Sequence, residues 1–303
     1  MKYSIIIPVY NSESTLKELT QRIGDTMDKL KEAYEIIFID DASGDRSWER
    51  IVEIKKSMPC VKAIRLAANF GQHNALMCGF NHSRGRYVIT LDDDLQHLPE
   101  EIPLLIEKAQ EGYDLVYGQY RLKKHNFFRN LGTRFIAWVY RRTLRVKGGI
   151  TSFRLIRAEV AKDITGYDKN YTFIDGLIAW RTKNIAYVTV EHRQRKEGRS
   201  GYNLRKLFVL TMNLVTNFSI LPLQVASFLG IIFSGVGFIM AVVYFCMKLF
   251  SQIVVSGFTT IIIAVMFFAG VQLLILGMIG EYLGRIQLNI NSKPQYYIKE
   301  RIE

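Results

Sequence analysis

The chain has 303 residues, of which 49% are hydrophobic and 22% charged, with a formal net charge of +12. Apolar content this high excludes intrinsic disorder, because burial can offset the entropy of ordering the chain; 22 glycines and 6 prolines without a period exclude a collagen-like array. Three widely spaced cysteines, Cys60, Cys78 and Cys246, exclude a disulfide framework and a cysteine-based zinc site, and fit a reducing compartment.

Met1-Lys2-Tyr3 runs straight into the strand-like Ser4-Ile5-Ile6-Ile7, which predicts no signal peptide. Short apolar runs at Tyr3–Val9, Glu35–Ile39, Val61–Leu66, Tyr87–Leu91 and Asp114–Tyr117 predict strands. Helical patterns at Ser14–Leu30, Ser47–Lys56, Asn74–Ser83 and Glu100–Gly112 alternate with them. Such alternation predicts a parallel, doubly wound sheet. Ligands of these sheets sit beyond the carboxyl ends of the strands.

The first strand ends in Pro8-Val9-Tyr10-Asn11-Ser12-Glu13, without a Gly-x-Gly-x-x-Gly fingerprint or a Walker lysine, which argues against a dinucleotide fold and a P-loop enzyme. The second ends in Asp40-Asp41-Ala42-Ser43-Gly44-Asp45, either a capping and turn cluster or a carboxylate pair that accepts hydrogen bonds from a ribose or base edge. The fourth ends in Asp92-Asp93-Asp94-Leu95-Gln96. If that segment is extended, Asp92, Asp94 and Gln96 share one face. Their oxygens are hard ligands suited to Mg²⁺ or Mn²⁺ and, through the ion, to a diphosphate. Three adjacent aspartates repel one another unless a cation compensates. The competing reading is a solvated loop capping the helix near Pro99.

Between residues 126 and 145, Phe127, Phe128, Phe135 and Trp138 mix with Arg129, Arg134, Arg141, Arg142 and Arg145. This composition predicts a helix in a membrane interface with arginines at lipid phosphates. Nucleic-acid binding is the competing use, and the apolar segments further on favour lipid. Residues 203–221 form an amphipathic pattern reaching Pro222. Val225–Met247 and Phe258–Gly280 are uncharged runs of 23 residues each. Each is long enough to cross a hydrocarbon core of about 30 Å. These runs predict two spans, at about 223–247 and 258–280, within a membrane segment 222–284. Arg193, Arg195, Lys196, Arg199, Arg205 and Lys206 precede the pair, Arg285, Lys293, Lys299 and Arg301 follow it, and the link has only Lys248. The lysine and arginine bias puts both termini in the cytoplasm and the link outside. The expected organisation is therefore a catalytic domain at 1–202, a juxtamembrane helix at 203–221, the spans, and a cytoplasmic tail at 285–303.

These stretches resemble family 2 glycosyltransferases of the GT-A fold, in particular the polyprenyl-phosphate group that contains dolichol-phosphate mannose synthase. The matching residues are Pro8–Asn11, Ile39–Ser43, Asn69–His73, Leu91–Gln96 with Pro99–Glu101, Arg195–Tyr202, Gly280–Ile286 and Pro294–Tyr296. The resemblance implies transfer of a sugar, with inversion, from a nucleotide-diphosphate sugar such as a UDP-sugar to a polyprenyl phosphate such as undecaprenyl phosphate. By position, it implies that Pro8, Tyr10, Glu13, Asp40 and Asp41 hold the nucleotide and that Asp92, Asp94 and Gln96 hold the metal. Arg129, Thr133 and Arg121 would hold the acceptor phosphate, and Arg195 and Ser200 are further site candidates. Asp92, Asp94 and Arg129 would carry the catalysis. The implied setting is a bacterial plasma membrane enzyme of cell-envelope glycan modification, expected to be a homo-oligomer and not to bind nucleic acid. Ala68, Ser152 and Gly201 depart from residues frequent in the group, which bears on the sugar and the acceptor contacts more than on the reaction class. An adaptor that retains the nucleotide-binding fold without activity is the alternative. A processive synthase is disfavoured by the missing Gln-x-x-Arg-Trp motif.

Overall fold

The computed structural model describes residues 1–120, 149–169, 172–191, 221–250, 257–291 and 294–303. They belong to two compact units, Met1–Gly201 with Ser292–Glu303, and Tyr202–Asn291.

In the first unit, β1 (Tyr3–Val9), β2 (Tyr34–Asp40), β3 (Val61–Leu66) and β4 (Tyr87–Thr90) are parallel, with β1 between β2 and β4. Every residue of β1 is buried, as expected of a central parallel strand covered on both faces. The odd positions Tyr3, Ile5, Ile7 and Val9 enter a core built from α1 (Leu16–Leu30), α2 (Ser47–Ser57) and α4 (Ile102–Gln110). Leu16, Leu19, Ile23 and Met27 form the apolar stripe of α1, at the spacing that keeps one helix face on the sheet. The other face of the sheet carries α3 (Gln72–His82). A Cβ at Gly79 would lie 2.3 Å from Ile6 Cγ2, so α3 packs on β1 through a position with no side chain.

Beyond β4 the sheet departs from the expected parallel arrangement. It continues through β5 (Leu115–Tyr120), β6 (Arg154–Arg157) and β7 (Ile185–Val190), and its far edge is β8 (Ile298–Ile302), in the order β7-β5-β6-β4-β1-β2-β3-β8. β6 is antiparallel to β4 and β5, and β8 is antiparallel to β3. The sheet is mixed. β6 has four residues and opens on a buried arginine, so its apolar pattern is too short to read as a strand. Arg154 is accommodated because it pairs with Asp175 of α6 (Ile174–Arg181), which also accepts a hydrogen bond from Tyr117 Oη at 2.8 Å. α5 (Ala158–Thr165) joins β6 to this region.

The second unit contains α7 (Leu221–Phe250) and α8 (Phe258–Ile290), which touch each other and expose large apolar side chains, among them Phe228, Ile231, Phe238 and Leu273. Among the described residues, Phe268–Ile290 is long and apolar enough to cross a membrane, and Leu223–Ile239 is a shorter apolar stretch. Residues 285–303, expected to be one tail, divide between the end of α8 and β8.

Candidate active site

The loops at the carboxyl ends of β1 and β2 are sewn together. Asn11 N donates to Ser43 Oγ at 3.0 Å, and Gly44 N donates to Asn11 Oδ1 at 2.8 Å. Ser12 N donates to Ser47 Oγ at 2.9 Å, Glu13 N to Asp45 Oδ2 at 3.2 Å, and Arg46 N to Glu13 Oε2 at 3.0 Å. Glu13 thus holds the loop after β2. Tyr10 is 51% exposed at the mouth of the cleft that these loops border.

The two aspartates after β2 have different environments. Asp40 is fully buried and accepts Ser43 N at 3.2 Å, with Arg65 Nε 3.2 Å from its other oxygen. Asp41 accepts Phe70 N at 2.7 Å and Gly71 N at 2.8 Å, one on each oxygen. Burial pushes both carboxyls above the usual range despite these donors. Gly71 has φ +85 and ψ 156, a conformation open essentially only to glycine. It starts α3 and turns two successive amides toward Asp41.

The acidic run after β4 is a turn, with Leu95 in the left-handed region at φ 59. The extended segment that would align residues 92, 94 and 96 does not form. Asp93 causes the difference: its half-buried carboxylate accepts Tyr10 N at 3.1 Å, and Thr15 Oγ1 donates to its carbonyl at 2.6 Å. Burial raises the Asp93 pKa to about 6, against the hydrogen bonds from Ser12 and Tyr10 that lower it. Asp92 accepts Gln72 Nε2 at 2.7 Å and Ser152 Oγ, with His97 Nδ1 at 3.8 Å. Asp94 accepts Gln96 N at 3.1 Å and the Gln96 side-chain amide.

Together these loops enclose a cleft of about 320 Å³ lined by Pro8, Tyr10, Asp41, Asn69, Gly71, Gln72, Asp92, Asp93 and Asp94, with Val9. Of the expected nucleotide residues, Pro8, Tyr10 and Asp41 line it, whereas Asp40 and Glu13 brace the loops around it. Arg121, Arg129, Thr133, Arg195 and Ser200 lie outside the described residues. The structure adds Gln72, Asp93 and Ser152 to the site through their bonds to Asp92 and Tyr10. Three consecutive aspartates carry a signal for the middle one, since a chain cannot aim all three at one point.

Asp92 and Asp94 put hard oxygen donors on one wall. Among the described residues no three His, Cys, Asp or Glu side chains form a closed metal cage. Two carboxylates suit an ion that would draw its remaining oxygens from a diphosphate and water, the habit of Mg²⁺ and similar cations.

Residues 4–165 match the family model described as glycosyl transferase family 2. The chain is 36% identical over 301 residues to undecaprenyl-phosphate 4-deoxy-4-formamido-L-arabinose transferase of Edwardsiella ictaluri (strain 93-146), covering 98% of this chain and 93% of that relative. It is 35% identical over 310 residues to the uncharacterized glycosyltransferase YkcC of Bacillus subtilis (strain 168), covering 99% and 94% respectively. The fold is similar to that of glucosyl-3-phosphoglycerate synthase from Mycobacterium tuberculosis in complex with uridine diphosphate, with a TM-score of 0.54 and 18% identity over 72% of this chain and 78% of that one. A second structure of that enzyme, with Mn²⁺, uridine diphosphate and phosphoglyceric acid, gives a TM-score of 0.52 at 19% identity, over 71% and 76%. The chain belongs to glycosyl transferase family 2.

Proposed function

We propose that the protein transfers a sugar from a nucleotide-diphosphate sugar to a polyprenyl phosphate, with inversion at the anomeric carbon. The observation that carries this reading is the placement of Asp92 and Asp94 in one cleft with Pro8, Tyr10 and Asp41, beyond the carboxyl ends of parallel strands. The name of the Edwardsiella relative supports undecaprenyl phosphate as the acceptor. The uridine diphosphate and Mn²⁺ of the structural neighbours make a UDP-sugar and Mn²⁺, or Mg²⁺, the first donor and ion to test.

In this reading Pro8, Tyr10 and Asp41 form the wall for the nucleoside. Asp40 and Glu13 fix the loops that carry them. Asp92 and Asp94 would hold the ion at the diphosphate. Bound there, a divalent cation supplies charge neutralisation for the departing nucleotide diphosphate. Gln72 and Ser152 orient the Asp92 carboxylate, and Gln96 orients that of Asp94. The acceptor is an anion, since a phosphate monoester has a second pKa near ~6. Its oxygen attacks the anomeric carbon directly, the carbon–oxygen bond to the diphosphate breaks, and the nucleotide leaves with the electron pair. No strong base is required of the chain, and alignment supplies much of the rate. Arg129, Thr133 and Arg121 are the proposed acceptor-phosphate ligands, with Arg195 and Ser200 as further contacts.

The apolar helices suit a lipid acceptor. We place the catalytic unit and both termini on the cytoplasmic side of a bacterial plasma membrane, with two spans and the 248–257 link outside. The test is a panel of nucleotide sugars presented with undecaprenyl phosphate and Mg²⁺ or Mn²⁺, read by product mass. A lipid-linked monosaccharide is expected. Nucleotide-sugar hydrolysis alone, or no product from the whole panel, would contradict the acceptor assignment.

A further inference from the structure

The last ten residues return to the sheet and touch the loop that lines the cleft. Loop 67–71 joins β3 to α3, and its residues 67–69 are exposed. It supplies Asn69 and Gly71 to the cleft wall, next to Gln72 at the start of α3. A loop with this much exposed backbone is drawn from the low-stability end of a fold, so its contacts decide its position. On the cleft side they are the bonds of Phe70 N and Gly71 N to Asp41 and of Gln72 to Asp92. On the outer side Tyr297 makes two contacts. Its carbonyl accepts Ala67 N at 2.8 Å, and its ring lies against Phe70 with centroids 6.2 Å apart.

The segment that brings Tyr297 there is itself anchored. Gln295 Nε2 donates to Tyr167 O at 2.7 Å and to Lys169 O at 3.2 Å. Asn81 Nδ2 donates to Tyr296 Oη at 2.9 Å, and β8 pairs with β3. None of these anchors is among the residues lining the cleft. The ring of Tyr297 is half exposed, and its contact with Phe70 rather than burial in a core is what holds it there.

We propose that Tyr297 is a positioning residue for the donor cleft: by bracing Phe70 and Ala67 from outside, it keeps the Phe70 and Gly71 amides on Asp41 and Gln72 on Asp92. The inference rests on the reading of that cleft as a nucleotide-diphosphate site. Its geometric half can be tested apart from that reading.

The experiment uses the full chain in detergent and compares Y297A, Y297F and K299A, the last at an exposed position of β8. Two quantities are measured: deuterium uptake in peptides covering 67–72, and the dissociation constant for uridine diphosphate with Mn²⁺. In Y297A, uptake at Phe70 and Gly71 should rise by about 10-fold while peptides of β1 stay protected, which separates local loosening from unfolding. Nucleotide binding should weaken by roughly 5-fold, the effect of about 1 kcal/mol. Y297F keeps the ring and should match wild type in both, as should K299A. Unchanged uptake at 67–72 in Y297A would overturn the proposal, and so would faster uptake with unchanged affinity. A wild-type chain that binds no uridine diphosphate would count against the donor reading, while the uptake comparison would still decide whether Tyr297 holds the loop.

Discussion

Gln72 Nε2 donates a hydrogen bond to Asp92 Oδ1 at 2.7 Å, tying the first residue of α3 to the acidic turn after β4. With Ser152 Oγ on the other oxygen, the bond fixes the orientation of the Asp92 carboxylate. Partners of this kind typically contribute about 10-fold or more to metal affinity. Q72A should raise the Mn²⁺ concentration for half-maximal activity by about that factor, with kcat at saturating metal close to wild type. A metal titration of the transfer reaction checks this. A lowered kcat with an unchanged metal requirement would place Gln72 in a different role.

Arg154 and Asp175 form a buried ion pair that Tyr117 completes. Burial and the Asp175 charge push the Tyr117 hydroxyl well above its ordinary pKa, so it stays a donor. D175A leaves a buried guanidinium without its counter-charge and should cost about 3–5 kcal/mol of stability. Y117F removes one neutral donor and should cost only about 1 kcal/mol. Thermal unfolding of the full chain in detergent orders the two variants, and an equal loss would contradict this assignment of roles.

Much of the first unit is legible in the chain because its elements obey one period each. Tyr3–Val9 and Val61–Leu66 are strands at the expected bounds, and α1 carries its stripe at Leu16, Leu19, Ile23 and Met27. What escapes has a physical reason each time. β6 hides behind Arg154, whose charge is balanced by a residue 21 positions away. β8, with Lys299, Glu300 and Arg301, has the charged pattern of an edge strand, which in sequence looks like a solvated tail. The Asp-x-Asp pair is visible as a motif, but its backbone is not, because the turn depends on Tyr10, in the loop after β1, meeting Asp93. Asp40 and Asp41 look alike in sequence; only the pairing with Arg65 and the amides of residues 70 and 71 separates them.

Glu35 gives a pH signature far from the chemistry. Burial pushes its carboxyl up, but Lys62, Ser4 Oγ and Arg84 N together outweigh that and hold it below the ordinary value. The unfolded pKa is about 4.3. The stabilisation is therefore complete above that pH and is lost as pH falls through the lower, folded value. E35Q should destabilise the protein by about 1–3 kcal/mol at pH 7. The gap between wild type and variant should close below pH ~4, in thermal unfolding measured across that range. A gap that persists at the acid end would contradict the ionised state of Glu35.

The proposed topology is tested with single cysteines at Gly257 and Asn291, which flank α8, in a chain whose Cys60, Cys78 and Cys246 are replaced. A membrane-impermeant maleimide should label G257C from outside and N291C only from the cytoplasmic side. Labelling of both from one side would contradict a crossing by α8.

The central claim is that Asp92 and Asp94 support departure of a nucleotide diphosphate as a sugar passes to a lipid phosphate. The most direct measurement is the rate of lipid-linked monosaccharide formation by D94N against wild type, at saturating Mg²⁺ or Mn²⁺, with thermal unfolding as the control for folding. Each ~1.4 kcal/mol lost at the transition state is tenfold in rate. D94N should unfold at the wild-type temperature and lose about 100-fold or more in rate. A folded D94N that keeps more than about a tenth of the wild-type rate, a loss under ~1.4 kcal/mol, would contradict the account.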